Sequence, residues 1–201
     1  MGRYAKQSIA VRSMHEIEPY YNWLKYYDPA SDERSPFHGK EYNYDVYSET
    51  IYGYYIDPAW DSMGSETLYM KLLYTDYEAG YVVIELIGEW NDTLNNDIMT
   101  FKRNIIEVLL QEGIKKFILI GENILNFHGS DDSYYEEWFE EVEEGWIAAV
   151  SFPEFIQDEF RKYHIDHYIN MGGTLQVDRW RAMHPVAFFT LIDSLIQRRL
   201  S

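Results

Sequence analysis

Residues 116–142 read KFILIGENILNFHGSDDSYYEEWFEEV, and the reading of this stretch decides the fold. After Lys116, the run from Phe117 to Ile120 is continuously apolar, as expected of a strand covered on both faces. Asn126-Phe127-His128-Gly129-Ser130-Asp131 then reads as a tight connector, followed by a strongly acidic helix. Open α/β sheets place their sites beyond the carboxyl end of a strand, at the start of a helix. The connector is therefore the expected functional address.

Upstream, Leu68, Met70, Leu72 and Tyr74 alternate with their neighbours, and Val82, Ile84 and Leu86 repeat the period after a loop ending in Gly80. This predicts a β-hairpin. Asn91 or Asp92 is expected to cap a helix carrying Leu94, Ile98, Phe101, Ile105 and Leu109 on one stripe, with Gly113 stopping it. Downstream, Trp146 to Val150 is a second short apolar run. Ser151-Phe152-Pro153-Glu154 has capping-box spacing before a helix that buries Phe152, Phe155, Ile156 and Phe160. Gly172-Gly173 introduces a strand from Thr174 to Val177, and Pro185 opens a last helix. Strands alternating with helices imply a largely parallel sheet with right-handed crossovers.

The first 66 residues differ in kind. They hold 11 of the 19 tyrosines. A short helix is expected from Glu16 to Tyr27, with Ile17, Tyr21 and Leu24 on one face, and a loop over residues 28–38. Half-buried strands are expected at Tyr42–Val46 and Tyr52–Ile56. Such an extension can cover an open face or edge of the sheet, the preferred reading because its alternation implies strands with a packed inner face; exposed, it can bind a partner or carbohydrate. The organisation expected is a Tyr-rich extension over residues 1–65 packing on an α/β core over residues 66–201.

That order of elements resembles the STAS domain, the fold of anti-sigma-factor antagonists, over about two-thirds of the chain. YVVIELIGEWN (81–91) is similar to the second strand and its Gly-containing turn, KFILIGENILNFHGS (116–130) to the third strand and phosphoacceptor loop, and SFPEFIQDEFRKYHIDHYI (151–169) to the family's later half. The resemblance implies a mixed sheet of about five strands with four helices: an opening β-hairpin, then alternating helices and parallel strands. It also implies a regulatory protein-interaction role. The family carries Asp-Ser-Ser-Gly or Asp-Thr-Ser-Gly at the loop, with the second hydroxyl residue phosphorylated. Those places fall on His128, Gly129, Ser130 and Asp131, and only Ser130 keeps the family's residue type. A phosphate there would add about −1.5 to −2 charges beside Asp131, Asp132, Glu136 and Glu137, which already occupy the favourable end of the helix.

Composition narrows the chemistry. There are 34 acidic and 17 basic residues, a formal net charge of −17. No Lys/Arg cluster stands out, so nucleic acid and anionic membranes are not expected partners. Cysteine is absent, which removes disulfides, thiolate catalysis and Cys-ligated metals. With no apolar run of signal-peptide or membrane-span length and Lys6 where a myristoylation signal prefers Ser or Thr, the expected setting is the cytoplasm.

The candidate interaction residues are His128, Ser130, Asp131, Asp132, Ser133, Glu136 and Glu137. Tyr135, Trp138, Phe139 and Val142 follow helical spacing, so the acids are expected to form a solvated face, and a protein partner docking there would be basic. His164 and His167 have a metal-like spacing without an evident third ligand. No P-loop, Gly-x-Ser-x-Gly elbow or Gly-x-Gly-x-x-Gly occurs. No catalytic residue, cofactor or metal is assigned. Two other readings stand beside the interaction module: an enzyme or small-ligand binder centred on His128, and a structural subunit assembling, as a homodimer for example, through the aromatic extension.

Overall fold

A computed structural model describes residues 17–200. Tyr4 of the tyrosine-rich segment and Glu16, the expected first residue of the opening helix, lie outside them. The main sheet has six strands in sequential order: β3 (Asp61–Ser62), β4 (Leu68–Asp76), β5 (Tyr81–Asn91), β6 (Lys116–His128), β7 (Trp146–Val150) and β8 (Asn170–Met171). Pairing is antiparallel from β3 through β5 and parallel from β5 through β8. A separate two-stranded ladder joins β1 (Thr50–Ile51) to β2 (Tyr54–Tyr55). The order of elements is the one expected from the sequence: an opening hairpin, then helices alternating with parallel strands.

Helices cover both faces. On one, α1 (Asp97–Phe101), a π-turn (Lys102–Ile106) and α2 (Glu107–Gln111) run on as one helical rod, beside α3 (Ser133–Glu141) and α4 (Glu154–Lys162). Ile98, Phe101, Ile105, Leu109, Tyr135, Trp138, Ile156 and Phe160 bury there against Leu86, Phe117 and Leu119. On the other, α5 (Pro185–Leu200) places Phe188, Ile192 and Ile196 over Val83, Ile118, Ile120 and Ala148. The two faces explain why Phe117–Ile120 is apolar at every position. Among the described residues, no helix is long and apolar enough to cross a membrane.

Several local expectations are corrected. Residues 17–27 form turns, not a helix; Tyr21 and Leu24 face solvent, and Trp23 is the residue that packs, against Trp180 and Phe188. Tyr42–Val46 is a loop with Tyr44 and Val46 exposed. The expected 52–56 strand is only the short second arm of a ladder, with Tyr52 in its turn at φ 52°. The extension shares the covering of the sheet with α5: Ile51, Ile56 and Trp60 bury against Tyr69 and Ile87, as the preferred reading expected, and Trp23 joins the α5 cluster. Leu94 is 81% exposed, because β5 runs on to Asn91 and the helix starts only at Asp97. Asp92 still caps it from a distance, accepting the Ile98 N–H at 2.9 Å. Ser151 makes no capping box: its hydroxyl donates to the Val177 carbonyl, and Phe155 is exposed. The last strand is Asn170–Met171, ahead of Gly172-Gly173, and residues 173–175 form a 3-10 turn.

Candidate functional site

The strand leading to the connector is longer than its apolar run. β6 continues through Asn126, Phe127 and His128, pairing with β5 as far as Asn91↔His128. Two irregularities in that pairing, near Gly121–Glu122 and Leu125, let polar residues share the strand. The true connector is therefore residues 129–132.

Its backbone is fixed by neighbours. Asp92 and Thr93 donate their N–H groups to the His128 carbonyl, at 2.8 and 3.2 Å. The Thr93 hydroxyl donates to the Gly129 carbonyl at 2.8 Å. Gly129 lies against the Tyr163 ring, where a Cβ would come within 2.4 Å of ring carbon. Asp131 accepts the Ser133 amide at 3.1 Å and also its hydroxyl. These bonds hold the Asp131 carboxyl below the usual carboxylate range. Asp132, at the N-cap position, accepts from the Tyr168 hydroxyl at 3.2 Å.

The outer surface of this fixed loop carries the candidate side chains. His128 and Ser130 are exposed, as is Glu136. His128, Thr93, Phe155 and Tyr163 line an open cleft of about 390 Å³. The His128 Nε2 lies 3.0 Å from Asn126 Nδ2 and 3.6 Å from Glu89 Oε1. Glu89 in turn accepts from Asn91 Nδ2 at 2.8 Å and from the Tyr52 hydroxyl. Burial, then the Glu89 contact, pushes Tyr52 up to about 12. An imidazole beside a carboxylate can pass a proton, but an acyl-transfer triad also needs a nucleophile against the imidazole. No bond between Ser130 and His128 forms.

Sequence reasoning missed Glu89, Tyr52 and Thr93. Glu89 is the one with a readable signal: it is the charged residue after Gly88, near the end of a largely apolar strand. Its partnership with His128 depends on the β5–β6 register, which local pattern does not encode.

Glu137 turns inward instead of out. With Glu107 and Glu141 it surrounds the Lys102 ammonium at 3.0, 3.1 and 2.8 Å, and the Lys102 side chain is fully buried. Carboxylate oxygens of these three glutamates lie within 4.8 Å of one another, as divalent-ion ligands do. Lys102 supplies the positive charge at their centre. The acidic helix is thus not solvated all along its charged side. Phe139, expected to be buried, is exposed beside Tyr168. His164 and His167 stack their rings 5.5 Å apart, with His164 at φ 61° after the end of α4. No third metal-ligating side chain is grouped with them among the described residues.

No family model matches this chain, and no curated protein matches it. Among solved structures it is similar to the Bacillus cell fate determinant SpoIIAA in the phosphorylated form, at 14% identity and a TM-score of 0.36, over 52% of this chain and 92% of that one. It is also similar to the anti-sigma factor antagonist SpoIIAA in its unphosphorylated form, at 14% identity and a TM-score of 0.40, over 57% of this chain and 98% of that one.

Proposed function

We propose that this chain is a non-catalytic protein-interaction or regulatory module of the kind STAS antagonists provide, working in the cytoplasm through the His128–Ser133 loop and α3. One observation carries the reading: the loop's backbone is locked by Thr93, Tyr163 and Tyr168, while His128 and Ser130 point outward. A surface held rigid before contact loses less conformational entropy on binding. Exposed Leu94 and Phe155 stand near it as apolar contacts. Glu136 and Glu140 project from α3 into solvent, and a basic partner is the electrostatic complement. In this reading residues 1–65 are an extension on a core spanning residues 66–201.

The test is an affinity capture from native cells with the full chain as bait, comparing wild type with His128→Ala, Ser130→Ala and Glu136→Lys. Loss of a shared basic partner in the loop variants is expected. Identical partner sets in all four would remove the loop from the reading. Intact-mass analysis of the native protein settles whether Ser130 is phosphorylated.

A further inference from the structure

The tyrosine-rich segment and the β4 edge enclose a second cleft, of about 630 Å³, which shares no lining residue with the His128 loop. Its volume falls in the range of small-molecule sites, about 300–1,000 Å³. Tyr42 and Tyr44 form one wall, their rings 11° from parallel with centroids 5.9 Å apart. Tyr20, Tyr21 and Tyr47 contribute further aromatic lining.

The polar groups restrict what can enter. Lys71, buried on β4, has three N–H bonds to give. Two go to the Tyr42 hydroxyl and the Ala59 carbonyl, each at 2.9 Å, and the ammonium also pairs with the Asp61 carboxylate at 3.2 Å. The Tyr42 hydroxyl donates to Asp61 Oδ1 at 2.7 Å. The Lys71 ammonium at the base of the cleft is therefore engaged internally. Lys40 gives one bond to Asp61, at 2.6 Å, and retains two further donors. Asp28 and Asp57 offer acceptor capacity in the lining.

The lining is mixed in charge, Glu18, Asp28 and Asp57 standing against Lys40 and Lys71, and neither ionic class of guest finds its site free. An organic cation would seek the aromatic faces, but Lys71 already stands 4.0 Å from the Tyr42 ring centre and Lys40 stands 5.0 Å away. An anion would meet Asp28, Asp57 and Glu18 with only Lys40 free to bind it. What remains is a neutral guest with one apolar face and groups that both donate and accept hydrogen bonds.

We infer that this cleft binds a neutral mono- or disaccharide, its ring C–H face against the exposed ring of Tyr44, which Tyr42 backs, and its hydroxyls toward Lys40 and Asp57. Tyr44 is 59% exposed, so the wall has surface to offer such a ring.

Saturation-transfer NMR on the full chain tests this, with glucose, galactose, N-acetylglucosamine and maltose as probes and adenosine, tetramethylammonium and inorganic phosphate as comparisons. Transfer to the ring protons of at least one sugar is expected. Tyr44→Ala should weaken it about tenfold, the size of one lost stacking contact, and Lys40→Met should weaken it with the aromatic wall intact. His128→Ala should bind as wild type does, which separates this site from the loop. The inference is overturned if no sugar receives saturation, if neither cleft variant changes the transfer, or if a comparison probe is preferred to every sugar.

Discussion

The Tyr135 hydroxyl donates to Asp92 Oδ2 at 2.6 Å, joining α3 to the turn that leaves β5. The same carboxylate accepts the Trp90 indole N–H and the Ile98 amide, both at 2.9 Å. One buried carboxylate thus fixes three elements beneath the candidate loop.

Tyr135→Phe removes one of those donors and leaves a buried oxygen short of a partner. The expected loss is about 1–3 kcal/mol, read by urea denaturation. No loss would mean that Asp92 holds the turn without α3.

Stability should fall as pH rises through neutrality. Burial pushes the Glu85 carboxyl up to about 7, against the opposing pulls of the Tyr20 N–H and Arg181. Burial likewise pushes Asp92 up to about 6. Both groups bind a proton more tightly folded than unfolded. Their contribution is complete below the ordinary values of 4.5 and 3.8, and is lost as pH rises through about 7 and about 6. For Glu85 this is about 3 kcal/mol. Glu85→Gln should flatten the decline between about pH 5 and 8. An unchanged slope in denaturant titrations would contradict this assignment.

Gly129→Ala should cost about 1–3 kcal/mol by forcing the loop off Tyr163. Ser130→Ala, one residue on and exposed, should stay within about 0.5 kcal/mol. Thermal melts of both distinguish the rigid backbone from the outward side chain. Equal effects would show that the loop is not held as described.

Lys102→Met should leave Glu107, Glu137 and Glu141 facing one another with only the more exposed Arg103, paired to Glu107 and Glu137, as counter-charge. Their side chains remain 27–39% exposed, so water moderates the cost to about 1–3 kcal/mol. Millimolar calcium should restore part of it in the variant and none in wild type, because oxygen ligands at this spacing suit that ion. Calcium-independent melting of the variant would refute the idea.

Much of the sheet was legible because its signals are local and periodic. Leu68, Met70 and Leu72 of the hairpin, the doubly covered Phe117–Ile120 and the stripe Ile98, Phe101, Ile105 and Leu109 bury as their spacing implies, while Tyr74 is only half-buried past the irregularity at Leu72/Tyr74. Elsewhere the determinants are distant in sequence. Trp23 is placed by its indole bond to the Met183 carbonyl and by Trp180, so residues 17–27 need no helix. The β6 extension to His128 was hidden because Asn123 and Asn126 interrupt its apolar run. The loop was found as a location. Glu89 beside His128, and Lys102 among its glutamates, arise from strand register and helix packing.

The π-turn at Lys102–Ile106 makes the chain's tolerance of length changes uneven. A π-turn holds more residues than an α-turn, and each residue advances an α-helix by about 100°. Deleting one residue there would restore regular winding, yet rotate everything on one side of the cut relative to the other. Either Lys102 would swing away from Glu141, or Ile105 and Leu109 would leave the core. Single-residue deletions should therefore be borne in the surface loop after β4 and rejected within this rod, although the rod would become the more ideal helix.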